Sequence, residues 1–147
     1  MRKVYLDTSV ISALFDERTP ERMAQTSQMW TLLDDYEVCI SSLVELELSN
    51  TTKPFMSRLL EAVENFTVLE INDDVYKLAD IYVEKEIFSE KYYDDAVHVA
   101  VASINNVGIL LSWNFAHLVK MKTRRMVALV NSEKNYLPVE IIAPPEL

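Results

Sequence analysis

Five short apolar runs recur along the chain, and stretches with helical spacing of apolar residues separate them. The runs predict β-strands over residues 3–6, 37–40, 66–71, 108–112 and 139–143. The intervening stretches predict helices over about residues 10–15, 21–34, 42–50, 54–64, 74–86, 92–105 and 116–131. Ser9, Ser41 and Asp73 stand where N-cap residues are expected, because their side-chain oxygens can accept a hydrogen bond from the first turn of a helix.

Strands that alternate with helices are typical of a parallel sheet joined by right-handed crossovers. The strand segments are continuously apolar rather than alternating, as expected when helices cover both faces of the sheet. The pattern therefore predicts an α/β fold, a three-layer α/β/α sandwich around a central, mostly parallel sheet of about five strands. No repeat or linker interrupts the series, so we expect a single domain over residues 1–147.

Composition narrows the function classes. Gly108 is the single glycine, which excludes a P-loop and a G-x-G-x-x-G turn. No segment approaches the roughly 18–20 apolar residues of a membrane span, so we expect a cytoplasmic protein without a membrane partner. The net charge of −9 argues against a nucleic-acid partner, although less strongly if several carboxylates serve a metal site.

Oxygen-bearing side chains gather at one predicted edge of the sheet. In open α/β sheets, ligands bind beyond the carboxyl ends of the strands. Acids, amides and hydroxyls stand just after strands one, two and four, and in the first turn of the helix that precedes strand four: Asp7, Thr8, Ser9, Glu45, Glu47, Asp94, Asp95, Ser112 and Asn114. Hard divalent cations such as Mg²⁺ or Mn²⁺ prefer such oxygen ligands, and a cation would relieve the repulsion between the acids.

Helical geometry helps to choose between neighbouring acids. Glu45 and Glu47 point about 200° apart, and Glu47 shares the apolar face of its helix, which favours Glu47 as the site residue. Asp95 enters the core with its apolar helix, whereas Asp94 stacks with His98 and also suits the helix dipole. Both glutamates could equally be ordinary surface residues if they were considered without the other acids.

Basic and imidazole side chains are few. Only His98 and His117 are histidines, which argues against a zinc site built on several imidazoles. His98 is either a satisfied buried histidine or a residue that orients a carboxylate or a phosphate. The densest positive run is either a solvated helix face or a contact surface for a phosphate backbone, and comprises Lys120, Lys122, Arg124 and Arg125.

Four segments together resemble the PIN domain, in particular the VapC-like toxins of type II toxin–antitoxin systems. They are Val4-Tyr5-Leu6-Asp7-Thr8-Ser9, Ile40-Ser41-Ser42-Leu43-Val44-Glu45-Leu46-Glu47-Leu48, Asp95-Ala96-Val97-His98-Val99-Ala100-Val101-Ala102 and Ser112-Trp113-Asn114-Phe115-Ala116-His117. Each motif alone is weak, but the four stand in the expected order over nearly the whole chain. The main departure is Asn114, where many members carry an aspartate.

The resemblance implies a metal-dependent endoribonuclease that hydrolyses RNA phosphodiester bonds. Asp7, Glu47, Asp95 and Asn114 would form the catalytic site and hold one or two Mg²⁺ or Mn²⁺ ions. Thr8, Ser9 and Ser112 would donate hydrogen bonds to these ligands, and Asp94 and His98 would lie beside them. The resemblance also implies a homodimer, and a small antitoxin protein that plugs the acidic groove.

Three alternative functions fit parts of the same pattern. A haloacid-dehalogenase-type phosphotransferase needs a second acid two residues after the first, and that position is Ser9. A response-regulator receiver expects a lysine after the fifth strand, where this chain has Pro144. A catalytically silent PIN-like binding or regulatory protein is the more serious alternative, because Asn114 and the acidic surface both weaken the case for an active ribonuclease.

Overall fold

The computed structural model describes all residues, 1–147, and is built around one parallel sheet. The strands are β1 Lys3–Leu6, β2 Glu37–Ser41, β3 Thr67–Leu69, β4 Ile109–Leu111 and β5 Glu140–Ile142. Their order is β3-β2-β1-β4-β5, and each neighbouring pair is parallel. The prediction of a parallel α/β architecture is therefore confirmed.

Seven helices connect and flank the strands. They are α1 Thr8–Ala13, α2 Pro20–Trp30, α3 Ser42–Ser49, α4 Lys53–Val63, α5 Asp73–Glu84, α6 Tyr93–Ile104 and α7 Met121–Glu133, with single 3₁₀ turns at Leu33–Asp35, Glu90–Tyr92 and Pro144–Glu146. None of these helices combines the length and the apolar character that crossing a bilayer requires.

The central strand β1 shows why the sheet needs cover on both faces. Val4, Tyr5 and Leu6 point alternately to opposite faces, yet all three are 0% exposed. Leu110 and Leu111 of the adjacent β4 are equally buried. Because every strand is parallel, each helix that follows a strand begins near the same edge, so the starts of α1, α3 and α7 gather beyond the carboxyl ends of the strands.

Two predicted helix starts were wrong by a residue or two. Asp7, not Ser9, caps α1, because its carboxylate directly follows β1 and accepts the Val10 backbone N–H at 3.2 Å. Asn72, not Asp73, caps α5 and accepts the Val75 N–H at 3.1 Å.

The helix predicted over residues 116–131 begins later, at Met121. The backbone carbonyl of Asn114 accepts the N–H groups of both Leu118 and Val119, at 3.0 and 2.9 Å, and this closes a turn. Lys120 is extended (φ −144°, ψ 153°), so a new helix starts after it. Likewise, α2 ends at Trp30 rather than running to residue 34.

Candidate active site

The carboxyl ends of the three central strands bring the predicted acids together. Asp7 directly follows β1, Glu47 lies on the helix after β2, and Asn114 lies in the loop after β4. Asp95 is in the first turn of α6, which runs back toward the start of β4 and therefore begins at the same edge.

Asp7 is the most deeply buried acid, with 4% of its surface exposed. One carboxylate oxygen accepts the Ser9 hydroxyl at 2.5 Å and the Val10 N–H at 3.2 Å, and the other accepts the Ser112 hydroxyl at 2.5 Å. Burial raises the pKa of Asp7 above its usual range, and the nearby His98 and these three donors offset part of that rise. A buried carboxylate held by several donors is suited to bind a cation.

Glu47 faces the site and Glu45 does not. The Thr8 hydroxyl donates to Glu47 Oε1 at 2.7 Å, and His98 Nε2 lies 2.8 Å from the same oxygen. Burial acts to raise the pKa of Glu47, but the hydrogen bond and charge of His98, together with Thr8, lower it below its usual range. Glu45 is exposed to solvent.

A buried relay continues behind His98. Its Nδ1 lies 2.7 Å from the Tyr5 hydroxyl, which in turn lies 2.8 Å from the Ser41 hydroxyl. Burial lowers the pKa of His98, yet the Glu47 hydrogen bond and the charges of Asp7, Glu47 and Asp95 raise it overall. The sequence interpretation missed Tyr5, although a tyrosine in a fully buried strand needs a partner for its hydroxyl, which was the available indication.

Asp95 and Asn114 form the other side of the site. Asn114 Nδ2 donates to Asp95 Oδ2 at 3.4 Å, and Asn114 Oδ1 accepts the His117 backbone N–H at 3.0 Å. Burial raises the pKa of Asp95, both histidines lower it, and the charges of Asp7 and Glu47 raise it further. The charges of Asp7 and Glu47 therefore reach Asp95 across the site.

Other predicted residues lie at the rim or outside the site. Asp94 is exposed, and its side chain forms neither an ion pair nor a hydrogen bond with the site residues. The predicted basic residues are all exposed around the start of α7, at the site edge of the sheet, and none is ion-paired: Lys120, Lys122, Arg124 and Arg125.

The oxygen atoms of the site are of the kind that a hard divalent cation prefers, but they are not arranged as a complete coordination shell. No group of three or more His, Cys, Asp or Glu side chains is arranged to hold a metal ion. Glu47 is turned toward His98, and Asp95 toward Asn114. The ligand atoms on offer are nevertheless carboxylate and amide oxygens, and the raised pKa values of Asp7 and Asp95 indicate charges that a cation would stabilise.

Comparisons with known proteins agree with the fold. Two solved structures are similar in fold: a toxin–antitoxin complex from Klebsiella pneumoniae (18% identity, TM-score 0.61, covering 82% of this chain and 93% of that chain) and Mycobacterium tuberculosis VapC20, a Sarcin-Ricin loop cleaving toxin (17% identity, TM-score 0.56, 73% and 86%). No curated protein matches the sequence. The PIN domain family model matches residues 4–113, a segment that contains Asp7, Glu47 and Asp95 and ends one residue before Asn114. The chain therefore belongs to the PIN domain family.

Proposed function

We propose that this protein is a Mg²⁺- or Mn²⁺-dependent endoribonuclease and the toxin of a toxin–antitoxin pair. The observation that carries the proposal is the gathering of Asp7, Glu47 and Asp95 at one edge of the sheet of a PIN domain. Each acid comes from a different element, and Asp95 feels the charges of both Asp7 and Glu47. Acids so placed are costly to the fold unless they serve a cation.

In this proposal Asp7, Glu47 and Asp95 would hold the cation. The amide nitrogen of Asn114 donates a hydrogen bond to Asp95. The amide oxygen of Asn114 accepts the His117 N–H and keeps a second lone pair that could bind the cation or a water. When bound, a divalent ion stabilises charge growing on the phosphate and makes a neighbouring water more acidic.

The chain's own residues hold the ligands in position. Ser9 and Ser112 fix the two oxygens of Asp7, while Thr8 and His98 fix Glu47. Such outer hydrogen bonds orient a carboxylate before a cation or substrate arrives, so less ordering remains for the reaction step. No serine, threonine or cysteine is needed as a covalent nucleophile, since water is the attacking group.

Partners and location belong to the same proposal. The structure from Klebsiella pneumoniae is a toxin–antitoxin complex, which supports a small antitoxin that covers the acidic groove. We also propose a homodimer and a cytoplasmic location, as for an enzyme that meets cellular RNA. A small reading frame beside this gene, whose product silences the activity in co-expression, would establish the toxin–antitoxin pairing.

The decisive assay incubates labelled RNA with the protein and Mn²⁺. We expect cleavage that EDTA abolishes and that Asp7→Asn abolishes without loss of folding. Metal-independent cleavage, or full activity of the variant, would refute the mechanism. Metal and RNA binding without cleavage would favour the catalytically silent alternative, for which Asn114 in place of an acid is the specific observation.

Calorimetric titration with Mn²⁺ tests the choice between the two glutamates of α3. Loss of a hydrogen bond behind a metal ligand usually weakens binding about 10–100-fold, so we expect Glu47→Gln, which removes a ligand charge, to weaken it more than about 100-fold. Glu45→Gln is the matched control on the same helix and should leave the affinity unchanged. Equal losses in the two variants would contradict the assignment, and the stoichiometry counts one ion or two.

A further inference from the structure

The proposed mechanism does not use an aromatic pair that lies beside the acids. The rings of Tyr92 and His117 are stacked, with centroids 3.8 Å apart and planes inclined by 30°. Tyr92 ends the 3₁₀ turn that leads into α6, three residues before Asp95. His117 lies three residues after Asn114, so the pair joins the two segments that supply one side of the site.

Hydrogen bonds to the backbone of His117 anchor one member of the pair beside the site. The His117 backbone N–H donates to Asn114 Oδ1 at 3.0 Å, and its carbonyl accepts the Thr123 hydroxyl at 2.8 Å. Thr123 is 1% exposed, so this second anchor belongs to the core. Asn114 in turn donates to Asp95 at 3.4 Å, so hydrogen bonds link the His117 backbone to one of the acids.

Its surroundings are unlike those of a core stack. Tyr92 is 36% exposed, and the Lys91 ammonium lies 5.5 Å from its ring centroid. Exposed Lys120 and Lys122 follow His117 at the start of α7. A partly exposed aromatic side chain with flanking cations is a combination that binds single-stranded nucleic acid, with rings stacking on bases and cations contacting phosphates.

We propose that the stacked Tyr92–His117 pair is a shelf on which one base of single-stranded RNA stacks next to the scissile phosphodiester. The choice of RNA as the substrate class rests on the proposed function, and the shelf adds to that function a contact that positions the strand. Because every base has a π-face, the shelf tolerates any base and instead fixes which phosphate along the strand reaches Asp7, Glu47 and Asp95. It also requires the strand to be unpaired at that nucleotide.

A fluorescence titration in EDTA, where the RNA stays intact, tests stacking directly. Short single-stranded RNA oligonucleotides would each carry one 2-aminopurine, moved stepwise along the strand. We expect one position to be quenched on binding to the wild-type protein and to Tyr92→Phe, which keeps the ring. Tyr92→Leu should lose that quenching and bind about 5- to 150-fold more weakly, as expected for the loss of one base–aromatic stack.

Two controls separate stacking from a structural role. Tyr136→Leu removes a half-buried tyrosine that precedes β5 at the opposite edge of the sheet, and should keep both the quenching and the affinity. Circular dichroism and thermal unfolding check that Tyr92→Leu is folded. If Tyr92→Leu is folded and still quenches the same position, or if no position responds although RNA binds, the shelf does not exist and the pair only pins the Asn114 loop or meets a protein partner.

Failure of the shelf and failure of the proposed ribonuclease function give different results. Quenching at one position by a protein that never cleaves RNA with Mn²⁺ would uphold the shelf and remove the ribonuclease activity. Cleavage of RNA by the wild type, with the same KM and kcat in Tyr92→Leu, would uphold the ribonuclease activity and remove the shelf. If the protein binds no single-stranded RNA, both proposals fall.

Discussion

Tyr5→Phe removes a single hydroxyl from the centre of the fold. That hydroxyl is fully buried and lies between His98 Nδ1, 2.7 Å away, and the Ser41 hydroxyl, 2.8 Å away. The ring, which packs within the core cluster, is unchanged by the substitution. Any effect on stability therefore comes from the two hydrogen bonds and from the groups they leave behind.

The two partners are affected unequally. Ser41 Oγ keeps the Val44 N–H at 3.4 Å, so it loses one bond with a net value of about 0.5–1.5 kcal/mol. His98 Nδ1 has no other partner in a side chain that is 3% exposed, and leaving such a group unsatisfied costs about 1–3 kcal/mol. We therefore expect Tyr5→Phe to lower the free energy of unfolding by about 1.5–4.5 kcal/mol, which is large for a single domain.

Urea unfolding followed by fluorescence, in EDTA at neutral pH, measures this loss. With a slope of about 2 kcal/mol per molar urea, the middle of the usual range, the midpoint should fall by roughly 1–2 M. Tyr36→Phe is the matched control, because Tyr36 is half-buried and its hydroxyl has no hydrogen-bond partner in the structure. The unfolding midpoint of this variant should stay within about 0.3 M urea of the wild type, since substitutions that break no buried interaction change stability by about 0.5 kcal/mol or less. A loss below about 1 kcal/mol for Tyr5→Phe would show that the relay behind His98 is not formed as described.

Three further results are expected. Asp95→Asn should stabilise the metal-free protein at pH 7, because burial raises the pKa of Asp95 in the folded state and the wild type loses stability as pH rises through that raised value. The difference in stability between the variant and the wild type should vanish below about pH 4, where Asp95 is protonated in both the folded and the unfolded state. Urea unfolding at both pH values checks this, and an Asn variant that is no more stable than the wild type at pH 7 would contradict it. Ser112→Ala takes one donor from Asp7 and should weaken Mn²⁺ binding about 10–100-fold by calorimetry, an unchanged affinity being the contrary result. Lys122→Ala should lower the slope of log affinity for single-stranded RNA against log salt by about 0.7, while Lys134→Ala, at the far end of α7, should not; equal slopes would place the RNA elsewhere.

The sheet could be predicted because its strands are buried on both faces. Continuous apolar runs such as Val4–Leu6 and Ile109–Leu111 admit few other interpretations, and parallel pairing follows from the helices between them. The choice of Glu47 over Glu45 also followed from local geometry, since residues two apart on a helix face nearly opposite ways. In the structure Glu47 accepts hydrogen bonds from Thr8 and His98 while Glu45 is exposed, and the role of Glu47 as a metal ligand stays a prediction.

What could not be predicted depended on contacts between distant segments. Ser9 and Asp7 are both good N-cap residues, and the sequence favoured Ser9. In the structure the Ser9 hydroxyl donates to Asp7 and accepts the Trp113 backbone N–H at 2.9 Å, about a hundred positions away in the sequence. Leu118 and Val119 have helical spacing, but they are buried by a turn around Asn114 that no periodicity reveals.

The arrangement of donors explains how an acidic chain can hold this cluster before any cation binds. Each carboxylate at the centre has its own donors within the fold: Ser9 and Ser112 for Asp7, Thr8 and His98 for Glu47, and Asn114 for Asp95. Only Glu47 has a partner that can carry charge, and only its pKa falls, whereas the pKa values of the two aspartates remain raised. Hydrogen bonds therefore position all three acids but leave two of them short of compensating charge. Under the proposed function a bound cation would supply that charge, so the cost of burying Asp7 and Asp95 in the metal-free fold would become part of the free energy that favours metal binding.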